Sequence, residues 1–159
     1  MPSRILLTTV LLCASVGCSN NTGSVTTVAE DDPRLKGTCT LYRLNGDRYP
    51  GEPIPEGSQH LHGWEILESC SVNALSDRSK LLGAFDQGIF ISSKESIDCF
   101  NPRHALRLVH DGITTDHLIC FQCFNYSTWV NGESTGGGST GASARDPFNR
   151  FLETCTAER

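Results

Sequence analysis

Asp111-Gly112 sits between two apolar runs, Ala105–His110 and Ile113–Cys120. No other stretch constrains the fold as much. Both residue types tolerate the left-handed backbone that a two-residue type I′ turn demands, and the twist of that turn matches the twist of paired strands. With His110 opposite Ile113, Leu106 and Leu108 share a face with Thr115, His117 and Ile119. Arg107 then falls opposite Asp116 on the other face, a complementary pair. Apolar register and charge pairing are independent signals, and they give the same alignment. An antiparallel sheet must therefore be built around this hairpin.

The flanking segments fill in an outline. Thr38 to Leu44 reads as a strand, followed by an Asn45-Gly46-Asp47 turn. Residues 49–58 carry three prolines and two glycines and read as loop. His60 to Val72, with Trp64, Ile66 and Leu67, reads as one further strand. Ser76-Asp77 can cap a helix in which Leu81, Leu82, Phe85 and Ile89 recur at helical spacing, with Gly88 at its stop. Residues 131–144 are low-complexity Gly/Ser/Thr and read as a flexible surface loop. Asp146-Pro147 supplies an N-cap and a first-turn proline, and Phe148, Phe151, Leu152 and Cys155 follow at i, i+3, i+4 and i+7. The expectation is α+β: a small antiparallel sheet containing the 105–120 hairpin, with helices near 76–88 and 146–157 packed on one face.

The N-terminus bears on location. Arg4 precedes an apolar run, Ile5 to Leu12, and small residues lead into Cys18, the layout of a secretory signal over residues 1–17. The run is shorter than the roughly 20 apolar residues a spanning helix needs. Ser15-Val16-Gly17-Cys18 resembles a bacterial lipobox, with Ser15 where Leu is usual. That resemblance implies a lipid-modified Cys18 as the mature N-terminus and the membrane as partner through its acyl chains. Ser19, rather than Asp, after the cysteine implies the outer membrane, facing periplasm or surface, in a Gram-negative cell. Residues 18–37 are polar and aperiodic, a tether reaching roughly 25 Å. One α+β domain is then expected over 38–159.

Charge excludes one class of partner. The chain has 13 Lys/Arg against 18 Asp/Glu, a net charge of −5, and Arg4 leaves with the signal. With no basic cluster there is no counterion-release drive toward nucleic acid. No protein or small-molecule partner can be named from the sequence.

Export changes the meaning of the cysteines. Of eight, Cys13 is removed and Cys18 is acylated, leaving Cys39, Cys70, Cys99, Cys120, Cys123 and Cys155, an even set that reads first as disulfides. Extending the hairpin register brings Cys123 opposite Phe100, and one residue of slip at Asn101-Pro102 brings Cys99 to Cys123. Cys99–Cys120 is the second pairing and Cys39–Cys70 a candidate further bridge, with Cys155 a buried thiol on the last helix. Cys120-Phe-Gln-Cys123 has a redox spacing, but on a regular strand residues three apart point to opposite faces. Cys99, His104, Cys120 and Cys123 could be zinc ligands, yet no second CxxC supports them.

Other motifs carry less. Gly136 to Gly141 matches GxGxxG literally but lacks the strand, the βαβ unit and the downstream acid that a dinucleotide site requires. His60 and His62 would share one strand face and are expected to face solvent. There is no nucleophile elbow or HExxH. No catalytic residue, resident metal or cofactor is therefore assigned.

Cys99-Phe-Asn-Pro-Arg-His104, then Ile119-Cys-Phe-Gln-Cys123 and an apolar C-terminal helix, resembles a group of bacterial exported proteins reading CFxPRHGIR, a hairpin, then ICFxC. The likeness covers about residues 60–155 and departs at Ala105, where Gly is frequent, and in the longer Gly/Ser loop. It implies a coherent domain but brings no activity with it. The expected function is a lipid-anchored binding or envelope-structural module. The alternative is a thiol redox or metal-binding protein using Cys99, Cys120 and Cys123.

Overall fold

The computed structural model describes residues 26–48, 51–90 and 99–157. Its strands are β1 Thr38–Leu44, β2 His60–Leu61, β3 Trp64–Ser71, β4 His104–His110, β5 Ile113–Cys120, β6 Asn125–Val130 and β7 Glu133–Ser139. Helix α1 spans Leu75–Phe90 and α2 spans Arg145–Ala157, with short 3-10 turns at Pro33–Leu35 and Ala142–Ala144. All pairings are antiparallel, in the order β2-β3-β1-β4-β5-β6-β7. The fold is α+β, but the sheet is larger than the sequence suggests and curls into a half-barrel.

The central hairpin has the register read from sequence: His110 faces Ile113, Arg107 faces Asp116 and Leu106 faces His117. Asp111 and Gly112 take φ of 49° and 76°, as a type I′ turn requires. Both helices cover the face that carries Cys39, Leu41, Leu106, Leu108 and Ile119, and Phe85, Phe148 and Leu152 complete that core. A smaller cluster of Leu44, Leu61, Ala105 and Leu118 lies on the opposite face, inside the curl, with Trp64, Ile66, Phe100 and Trp129 packed against it.

Several expectations are corrected. His60–Val72 is not one strand, because His62 and Gly63 take φ of 48° and 85° and fold it into a β2–β3 hairpin. Residues 131–144 are not a loop. Asn131-Gly132, with φ of 50° and 86°, is a further type I′ turn joining β6 to β7. Gly, Ser and Thr give no apolar alternation to read, but a ladder is held by backbone groups that every residue except proline carries in full. At Gly137 a Cβ would lie 2.2 Å from the Tyr126 carbonyl oxygen, so close approach of the strands requires glycine there.

Helix α1 starts at Leu75 and runs through Gly88 to Phe90. Gly88 does not stop it; its carbonyl accepts a hydrogen bond from the Gly141 amide at 2.7 Å. The packed structure also begins before Thr38. Leu35 is in the core, Val28 N donates to Ser79 O at 3.3 Å, and Arg34 bridges Asp32 and Asp86 at 2.7 and 2.6 Å.

Candidate functional site

The lipidation position Cys18 and the signal at 1–17 lie outside the described residues. The other expected thiols are resolved. Cys99 and Cys123 form a disulfide with Cα atoms 5.8 Å apart, within the range that bonding needs. Cys120 ends β5, and residues 121–124 form a turn that takes Cys123 off the strand. Cys120 is therefore left as a buried free thiol, its Sγ accepting a hydrogen bond from the Cys123 amide at 3.1 Å.

The second bridge differs from the expectation. Cys70 pairs with Cys155, Cα atoms 5.9 Å apart, not with Cys39. The register explains this: Leu41 is opposite Cys70, and Cys39 lies two residues away along β1. Cys39 and Cys70 are therefore diagonal neighbours, while α2 lowers Cys155 directly onto β3. Cys39 stays a buried thiol whose pKa burial pushes up to about 11, so it stays protonated and is a poor nucleophile. Among the described residues no group of three His, Cys, Asp or Glu side chains is placed to hold a metal. His104 is not with the cysteines in any such group: its Nε2 lies 2.8 Å from Asn149 Oδ1 on α2, and its ring packs on Phe121 and Phe148.

The sequence reading missed a polar cluster inside the curl. His62 does not face solvent beside His60; its Nε2 lies 2.7 Å from Asp116 Oδ2, and its ring stacks on Trp129 at 4.1 Å. Arg107 donates to both Asp116 oxygens at 2.7 and 2.8 Å and lies over the Tyr42 ring. Burial opposes the charge on Asp116, but Arg107 and His62 outweigh it and hold the carboxyl below its ordinary range. The Arg107–Asp116 half of this cluster was legible in the hairpin register. The His62 contact spans 54 residues, and no local pattern announces it.

Two concavities open on the helix side. One of about 460 Å³ lies over β4–β6, with His117 and Phe85 in its wall. Burial, reinforced by the Arg34 guanidinium, lowers the His117 pKa to about 4, so it is a neutral imidazole. The larger, about 720 Å³, runs between α1 and α2. Asp77, Lys80, Ala84 and Gln87 face it from α1, and Pro147, Arg150, Phe151, Thr154 and Cys155 from α2. Each set recurs at helical spacing, so each helix lends the cleft one stripe. Val72 and the Cys70–Cys155 disulfide close its base.

No family model matches the chain, and no curated protein or solved structure matches it.

Proposed function

We propose that the chain is an exported, lipid-anchored binding module of the bacterial cell envelope. Acylated Cys18 would hold it at the membrane, and the α1–α2 cleft would take a small-molecule ligand. The cleft carries this reading. Its volume of about 720 Å³ lies within the roughly 300–1,000 Å³ of small-molecule sites, and an apolar floor with a few convergent polar groups is their usual chemistry. Among the described residues no helix is long and apolar enough to cross a membrane, so attachment in this reading rests on Ser15-Val16-Gly17-Cys18. A thiol redox role has less support. Of the three candidate cysteines two are bonded and Cys120 is buried, whereas reactive thiols are partly exposed in electropositive surroundings.

Magnetic resonance of the Cys18→Ala chain with a mixture of small fragments tests the cleft. Perturbed amides should cluster at Val72, Lys80 and Phe151 and vanish in Thr154→Trp, which fills the cleft from an exposed position. Perturbation elsewhere, or none, refutes the reading. Cys18→Ala should also move the protein from membranes to the soluble exported fraction. Retention on membranes through a high-salt wash would rule out the lipid anchor.

A further inference from the structure

The position and charge of the α1–α2 cleft say more about its ligand than its size does. Thr26, the first described residue, forms part of the cleft wall. It is fixed there: its hydroxyl donates to Gln87 Oε1 at 3.1 Å, and a Cβ on Gly83 would fall 2.3 Å from its carbonyl oxygen. So the described residues begin at the lip of this cleft. Only eight peptide units separate Thr26 from Cys18, a span of at most about 28 Å fully extended. If Cys18 carries the acyl chains, the cleft stands within a short tether's reach of the lipid surface.

The charge of the cleft is also unlike that of the whole chain. Asp77, Lys80 and Arg150 are the ionic groups in its wall, one acid against two bases, in a chain of net charge −5. Lys80 is paired with Asp77 at 3.0 Å. Arg150 reaches only the Asp146 carbonyl, at 3.4 Å, and no carboxylate among the described residues pairs with it. A guanidinium with no carboxylate partner among the described residues, at the rim of a cleft with apolar residues in its floor, is suited to a phosphate oxygen pair. Below it, Val72, Ala84 and Phe151 offer a floor that a hydrocarbon chain can cover.

We infer that the cleft binds a monoacyl phospholipid with an anionic headgroup, its acyl chain between α1 and α2 and its phosphate on Arg150. This rests on the binding-module reading and names the ligand class for the same cleft. Such a molecule leaves the bilayer far more readily than a two-chain lipid, since each buried CH2 contributes about 0.8 kcal/mol to retention. A cleft held close to the surface is placed to receive it.

The test titrates the detergent-free Cys18→Ala chain with lysophosphatidylglycerol below its micelle concentration, reading heat or intrinsic fluorescence. Saturable one-to-one binding is expected. Arg150→Glu should weaken it about tenfold or more, the scale of one lost charge-assisted hydrogen bond, and zwitterionic lysophosphatidylcholine should bind comparably more weakly to the unaltered chain. Thr154→Trp should abolish binding, with thermal unfolding confirming that both variants are folded. If fragments perturb the cleft but the lipid does not bind, the ligand class is wrong while the cleft remains a binding site. Lipid binding that survives Thr154→Trp overturns the location, unchanged affinity in Arg150→Glu overturns the role of Arg150, and equal affinity for the two lipids overturns the preference for an anionic headgroup.

Discussion

The two faces of the curled sheet are stabilised by different physics. The helix-covered face is filled by Leu41, Leu81, Phe85, Phe148 and Leu152, and two histidines buried there, His104 and His117, are neutral. Burial lowers His104 to a pKa of about 4, against a weaker opposing pull from Asn149, and lowers His117 similarly. The opposite face has fewer apolar residues and carries a fixed ionic contact. The Asp116 side chain is 2% exposed between Arg107 and His62, and the Trp129 ring stacks on His62. One face depends on non-directional burial, which tolerates many partners. The other depends on directed hydrogen bonds, which fail as a unit when one member is removed. The β2–β3 turn that delivers His62 is therefore fastened by directed polar contacts, and the helices chiefly by packing, with the Cys70–Cys155 bridge tying α2 to β3.

The largest effect should come from breaking the packed face. Phe148→Ala removes a fully buried ring that contacts Phe121 and His104. It should destabilise by about 4 kcal/mol, measured by denaturant unfolding. A change below about 1 kcal/mol would mean that α2 is not seated as described.

Acid should separate the two faces by pH. An unfolded histidine takes up its proton near pH 6.5, whereas His104 and His117 do so only near 4 when folded. Between those values the unfolded chain binds more protons, so stability falls as pH drops from about 6.5 to about 4, by on the order of 3 kcal/mol per histidine. Asp116 acts in a lower window. Its folded pKa is depressed, so its contribution is present above the unfolded value near 3.9 and is lost as pH falls through the folded one. Unfolding free energies measured across this range should lose the upper slope in the combined His104→Phe, His117→Phe variant. An unchanged slope would show that neither histidine is buried and neutral.

On the curled face, Asp116→Asn should cost roughly 2–3 kcal/mol, below the 3–5 typical of a broken buried pair. The reason is that the Arg107 side chain is 34% exposed and can be solvated. Because His62 loses its carboxylate, the same variant should increase hydrogen exchange in the β2–β3 turn while leaving α2 protected. Equal loss of protection in both regions would abolish the distinction between the faces. The smallest effect should come from neither face: Leu67→Thr, at 55% exposure, should stay within about 0.5 kcal/mol in the same unfolding measurement.

The sequence by itself determined the central hairpin to the residue, because a type I′ turn and the Arg107–Asp116 pairing it implies are local and reinforce one another. It also determined strand β1 and placed the two helices to within a turn. The Asn131-Gly132 turn was equally local, but glycine and serine gave no alternation to mark the strands beside it. What only the tertiary structure decided are contacts between distant segments. The Cys70–Cys155 bridge spans 85 residues, and His62 meets Asp116 only because the sheet curls. The α1–α2 cleft exists only because two helices, remote in sequence, settle on one face with their stripes turned toward each other. Local signals report backbone geometry and the period of burial. Which buried groups meet depends on the curl of the sheet and the seating of the helices, which are set by packing over the whole molecule.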